Sequence, residues 1–309
     1  MNHAFQLFDS YNSTGKNLEP TDLLKAYHLR EIDNTEKIKE KIKQWEENEN
    51  KYFKICPKTL EKQHDKDNIE EYDDNKIVSL FKYFLFPISK WSINQKDTNT
   101  FTKDDIYLYK GINENNNYDI VYNQFYKNTK KTRFNINKPF ISGIDFFNMV
   151  NNYINKIDKL IENKNIYQKL EYDKHSSYKV NGEEKNYIKS WNKDIGTFYV
   201  RKMYYAALLY LEDKFKQNNN YQSDYIEDVI LNWAVKARIM YSQINYKTIN
   251  HYILNNEDKF NPFYEIANAR SIEELESKEI NLENIKISRS RLETFRKAVY
   301  KSIKDKGEA

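Results

Sequence analysis

Apolar positions recur at helical spacing along most of this chain. Behind a Ser142/Asp145 capping pattern, Phe146, Val150, Tyr153, Ile157 and Leu160 follow one another at steps of three and four residues, which predicts a helix with one buried stripe. Segments 198–215 and 225–241 are apolar on more than one face. The first carries Met203, Ala206, Ala207, Leu208 and Leu211, the second Val229, Ile230, Trp233, Ala234, Ala237 and Met240. Helices of that kind belong at the centre of a bundle. Residues 35–48 place Ile38, Ile42 and Trp45 among charges and predict an amphipathic helix. Ile77 to Phe86 is the densest apolar run, a predicted buried helix ended by Pro87. Shorter helices are predicted at 246–254, 262–269 and 271–276, and a closing one at 289–304 carries Leu292, Phe295, Val299 and Ile303.

Between these segments the pattern loosens. The charged run 48–74, which contains Pro57, reads as a helix end and a surface loop. Thr102 and Asp105 form a capping box that opens a short helix, with Gly111 just past its end. The Asn-rich stretch 113–117 and the polar stretch 171–186 read as loops, and 133–141 with Pro139 as an extended connector. The chain is thus expected to be mainly α, with an N-terminal part at 1–34, a helical region with surface loops at 35–138 and a C-terminal helical bundle at 139–309.

Composition sharpens this picture in a few places. Only six Gly and five Pro interrupt 309 residues, which favours long helices. An aromatic content of 15%, from 26 Tyr and 17 Phe among others, predicts a core of amphipathic rings whose hydroxyls need partners. The net charge of +4 is the small difference between 50 basic and 46 acidic residues, and nucleic-acid contact depends on a clustered basic face rather than a total. The most basic segment is the closing helix, where Arg289, Arg291, Arg296 and Lys297 are the candidate DNA-binding residues, the alternative being a solvated face. Arg201, Lys202, Lys236 and Arg238, on or near the core helices, read either as structural ion-pair partners or as nucleic-acid contacts. Cys56 is the single cysteine, which excludes an intramolecular disulfide framework and a cysteine-only zinc site. No apolar run approaches the roughly 20 residues that span a bilayer. The N-terminus has no signal-peptide pattern, so a soluble cytoplasmic protein with no membrane partner is expected.

Residue chemistry points past packing in one stretch, Phe5 to Lys25. Phe5 and Phe8 fit the buried face of a short helix ending near Tyr11 and Asn12. Asn12 and Gly15 tolerate left-handed backbone angles and suit a sharp reversal. Pro20 suits the first position of a new helix, and Asp22 falls in its first turn, where negative charge is favoured. Such a turn offers free backbone amides beside the Lys16 ammonium and the side chains of Asn12, Ser13 and Thr14, which makes an anion or phosphate cradle. The same residues also suffice simply to cap two helices and reverse the chain. In the helix that follows, Leu24, Tyr27 and His28 share a face. His28 reads either as a core residue or as a catalytic one two turns from the cradle.

Phe8, Asn12, Gly15 and Leu18 reproduce the pattern Phe-x-x-x-Asn-x-x-Gly-x-x-Leu, and Glu19 to Arg30 continue it. This segment resembles the GmrSD-type modification-dependent restriction endonucleases, whose N-terminal component is domain of unknown function 262. Weaker similarity runs through Trp91, Phe101 to Gly111, Ser142 to Phe147, Tyr199 to Arg201 and Asp213 to Phe215, to Trp233 and Arg238. The resemblance implies a ParB/sulfiredoxin-like nucleotide-binding α/β core, of which the first residues here would be the C-terminal remnant, followed by a multi-helical region. It further implies that Asn12, through its amide, Gly15, through close backbone approach, and Lys16 contribute to a nucleoside triphosphate site working with Mg2+, while Phe8, Leu18 and Asp22 hold the motif's shape. The family pairs this motif with an upstream Asp-Gly-Gln-Gln-Arg element that is absent from these residues. A truncated or split gene product is therefore expected, with a second polypeptide supplying that element and a nuclease of His-Me finger type.

The five histidines, His3, His28, His64, His175 and His251, lie in no ββα nuclease context, and no Gly-x-x-x-x-Gly-Lys-Ser/Thr loop, nucleophile elbow or His-Glu-x-x-His helix occurs. Any activity would have to come from the Asn12 to Lys16 turn, with no resident metal site of the protein's own. The function expected from sequence is an NTP-sensing part of an anti-phage restriction system that does not itself cut DNA. The alternative is a non-catalytic helical scaffold that binds DNA or a protein partner.

Overall fold

A computed structural model describes residues 18–55, 74–95, 100–112, 134–163, 177–180, 183–186, 195–215, 224–241, 244–255 and 260–277, and these are mainly helical. Helix α1 (Pro20–Arg30) opens with proline in its first turn, where no N–H is missed. Helix α2 (Thr35–Glu49) is capped by Asn34, whose side chain accepts the Lys37 amide at 3.0 Å. Asn75 caps α3 (Lys76–Ser79) in the same way, through the Val78 amide at 2.9 Å.

At the end of α3 the chain departs from expectation. It runs on through a π-helical segment (Leu80–Leu85) into α4 (Phe86–Trp91), so Pro87 lies inside continuous helix rather than ending it. In a regular α-helix the Pro87 ring would strike the carbonyl four residues back. Here the Phe86 amide reaches Phe81 O, five residues back, and the widened turn just before the proline relieves that clash.

A 3-10 helix (Lys103–Tyr109) follows, opened as the sequence predicts. The Asp105 carboxylate accepts the Thr102 amide at 2.9 Å and its hydroxyl at 2.7 Å. Next come α5 (Ile144–Asn163) and an antiparallel hairpin of β1 (Ser177–Val180) and β2 (Glu183–Asn186), with Val180 opposite Glu183. The hairpin replaces part of the expected loop at 171–186. In sequence its strands are joined by Asn181-Gly182, a strong two-residue hairpin signal. The remaining elements are α6 (Ile195–Phe215), α7 (Asp224–Met240), α8 (Tyr246–Asn255), α9 (Pro262–Asn268) and α10 (Ile272–Glu276). Among the described residues, no helix is long and apolar enough to cross a membrane.

The chain divides into two compact units, each assembled from separated stretches. The first takes residues 1–53, 73–87 and 99–156, the second 54–72, 88–98 and 157–309. The first unit has an aromatic core. Phe146 stacks on Trp45 with centroids 5.9 Å apart, Phe147 meets Trp45 edge-on at 5.7 Å, and Phe81 stacks on Phe101 at 5.5 Å while Tyr109 meets it edge-on at 5.0 Å. Such pairs contribute about 0.5–1.5 kcal/mol each beyond the area they bury. Beside this core α2 and α5 share a polar seam. Lys41 Nζ donates to Asn148 Oδ1 at 3.0 Å, Asn48 Nδ2 to Asn151 Oδ1 at 2.7 Å, and Asn151 Nδ2 to Gln44 Oε1 at 3.0 Å. Directional bonds of this kind fix the register of two helices in a way that apolar contact alone does not.

In the second unit α6 packs against α7, α8 and α9. Trp91 is tied in by polar groups on both its side chain and its backbone. Its indole N–H donates to Asn250 Oδ1 at 2.8 Å, and its carbonyl accepts from Asn261 Nδ2 at 2.9 Å. Asn261 also donates to Asn94 Oδ1 at 2.7 Å, and its own oxygen caps α9 by accepting the Phe263 and Tyr264 amides at 3.0 and 3.3 Å. At the other end of α9, Lys214 Nζ donates to the carbonyls of Ile266 and Ala267 at 2.6 Å each, which places a cation at the negative end of the helix.

Replacing Asn261 by Ala should therefore cost more than losing an ordinary cap. We expect roughly 2–4 kcal/mol in urea denaturation, because buried groups lose their partners along with the cap. Ser271→Ala, which removes a cap on the Glu274 amide and an exposed hydrogen bond to the Glu273 carboxylate, should cost about 1 kcal/mol. Equal losses would mean that the bonds of Asn261 to Trp91 and Asn94 contribute nothing.

A second expectation concerns Gly143, which has φ +82° and where a Cβ would lie 3.0 Å from Glu31 O. Gly143→Ala should destabilise by roughly 1–3 kcal/mol, since both the backbone angle and the space exclude a side chain. A loss below about 0.5 kcal/mol by the same assay would contradict this close approach.

Candidate functional site

Helix α1 leads directly out of the Phe8 to Leu18 motif, so the site is built from α1 outward. Of the motif residues, Phe8, Asn12, Gly15 and Lys16 lie outside the described residues, as do Arg289, Arg291, Arg296 and Lys297 of the basic C-terminal segment. Leu18 is half-buried. Asp22 sits in the first turn of α1, and its carboxylate accepts the Glu19 amide at 3.0 Å. The Asp22 amide in turn donates to Glu19 O at 3.0 Å. The first turn of α1 is thus closed by its own residues, and two carboxylates already occupy the positive end of the helix dipole.

Two turns further on, His28 is fully buried. Its ring stacks on Phe146 with centroids 3.7 Å apart and planes within 10°, and the Tyr27 ring meets it edge-on at 5.0 Å. The Gly143 amide donates to Nδ1 at 3.0 Å, so Nδ1 is unprotonated. Nε2 then carries the proton and donates it to Tyr109 O at 2.8 Å. Burial lowers the His28 pKa to about 3, against the smaller opposing effect of the hydrogen bond to Tyr109. Both nitrogens are engaged and the ring is neutral at ordinary pH. Of its two readings, His28 takes the structural one, joining α1 to the end of the 3-10 helix and to the turn before α5.

Charge around α1 is mixed. Lys25 pairs with Glu49 at 3.5 Å and lies 6.0 Å from the centroid of the Trp45 ring, while Lys110 lies 5.4 Å from that of Tyr27. The Tyr27 hydroxyl is held above its ordinary pKa by burial first and by the Glu31 charge second.

In the second unit, Arg201, Lys202 and Lys236 are buried, as are Asp213 and Glu227. Arg201 Nη1 donates to Ile55 O at 3.1 Å, and Lys202 Nζ lies 3.6 Å from the centroid of the Phe198 ring. Both contacts are made inside the protein, in line with the structural reading of these cations. Among the described residues, no group of three or more His, Cys, Asp or Glu side chains is placed to hold a metal ion.

Sequence spacing put His28 on a buried face but gave no sign of its partners. Tyr109 and Gly143 lie 81 and 115 residues away in the chain, and neither a carbonyl nor an amide leaves a trace in residue identity.

A family model described as a family of unknown function (DUF7834) matches residues 37–294, a span that begins in the first turn of α2 and takes in every later helix described above. No curated protein and no solved structure matches the chain.

His28 should give the fold an acid-sensitive component. With a pKa of about 3 folded against 6.5 unfolded, the unfolded chain binds the extra proton, so stability is complete above pH 6.5 and is lost as pH falls from 6.5 toward 3. The slope is at most about 1.4 kcal/mol per pH unit for one proton. His28→Gln, which cannot titrate, should be less stable than wild type at pH 7, with the gap narrowing at pH 5 in urea denaturation. A gap that stays constant with pH would show that His28 is not the titrating group.

Proposed function

We propose that this chain, which belongs to the DUF7834 family of unknown function, contributes one side of a nucleoside triphosphate site in a modification-dependent restriction system acting against phage or other foreign DNA. The observation that carries this reading is the Phe8, Asn12, Gly15 and Leu18 motif with its continuation through Glu19 to Arg30, which resembles the GmrSD-type restriction proteins. In this reading Asn12 binds through its amide, Gly15 lets the backbone approach a phosphate, and Lys16 supplies the compensating charge. Mg2+ would accompany the triphosphate, which brings its own phosphate oxygens as ligands.

The helical architecture is compatible with this role. The helix that follows the motif in sequence starts at Pro20 and is clamped by a neutral histidine. Positions of weaker resemblance also include structural contacts, among them Trp91 bonded to Asn250, Gly143 bonded to His28 and Arg201 bonded to Ile55. The rest of the nucleotide site, the Asp-Gly-Gln-Gln-Arg element, and the nuclease would come from outside these 309 residues, in a second polypeptide.

Calorimetric titration of the full chain with ATP and GTP in the presence of Mg2+ tests the reading. We expect saturable binding that weakens at least tenfold in Asn12→Ala, a loss of about 1.4 kcal/mol or more. No binding of either triphosphate, together with DNA affinity whose salt dependence shrinks when Arg289, Arg291, Arg296 and Lys297 are replaced by Ala, would overturn it in favour of a non-catalytic DNA-binding scaffold.

A further inference from the structure

We draw no further inference here: the strongest candidate, the buried ionisable side chains Arg201, Lys202, Asp213, Glu227 and Lys236 on α6 and α7, carries nothing beyond internal pairing, because each of them already engages other groups of the chain.

Discussion

A neutral imidazole buried against Phe146 is the constraint from which the first unit is built. His28 sits where it does because each ring nitrogen meets a backbone group of opposite character, the Tyr109 carbonyl at 2.8 Å and the Gly143 amide at 3.0 Å. Neither backbone group lies within a regular ladder, and leaving either one buried without a partner would cost about 1–3 kcal/mol. The bonds are directional, so they also fix the rotation of α1 about its own axis and bring Leu24 onto the core side. Gly143 contributes at two levels, by presenting its amide to the ring and by leaving room for Glu31 O where a Cβ would stand.

The second unit solves a similar problem with amides in place of a ring. Asn250 and Asn261 are buried and work through fixed carboxamide geometry, receiving the Trp91 indole on one side and its carbonyl on the other. Lys214 extends the principle to charge. Burial lowers its pKa while the Glu274 carboxylate raises it, and its ammonium serves the last carbonyls of α9. In both units polar groups are admitted to the interior where backbone outside the regular hydrogen-bond ladders needs them, and aromatic rings fill the space around them.

Much of this was legible in the chain. The stripe of Phe146, Val150, Tyr153, Ile157 and Leu160 is buried throughout, and α6 and α7 are covered on more than one face as their apolar composition requires. The Thr102/Asp105 cap and the positive φ of Gly111 lie where turn chemistry puts them. What sequence did not reveal has physical causes. The π turn before Pro87 changes hydrogen-bond partners without changing residue types, so nothing in the local sequence distinguishes this proline from one that ends a helix. The hairpin around Asn181-Gly182 has only the brief alternation of Tyr178 and Val180 in β1 and no apolar residue in β2, too short a pattern to announce strands. The partners of His28, Asn250 and Asn261 lie too far along the chain for any local period to connect them. The motif points to a nucleotide site through resemblance alone, while its spacing by itself favours an ordinary reversal of the chain.

The π turn carries a consequence for how this segment tolerates change. The widened turn takes up one residue more than ordinary winding would, so a deletion between Leu80 and Leu85 that restored regular α-helix would leave the side chains after it near their present directions, whereas an insertion beyond it would turn them by about 100°. What the deletion would lose is the relief of Pro87, whose ring would then press on the carbonyl four residues back. Exchange of one apolar side chain for another of similar volume is mild by comparison. The stretch is therefore open to substitution, and a single-codon deletion would strain it at Pro87 rather than turn the helix beyond it.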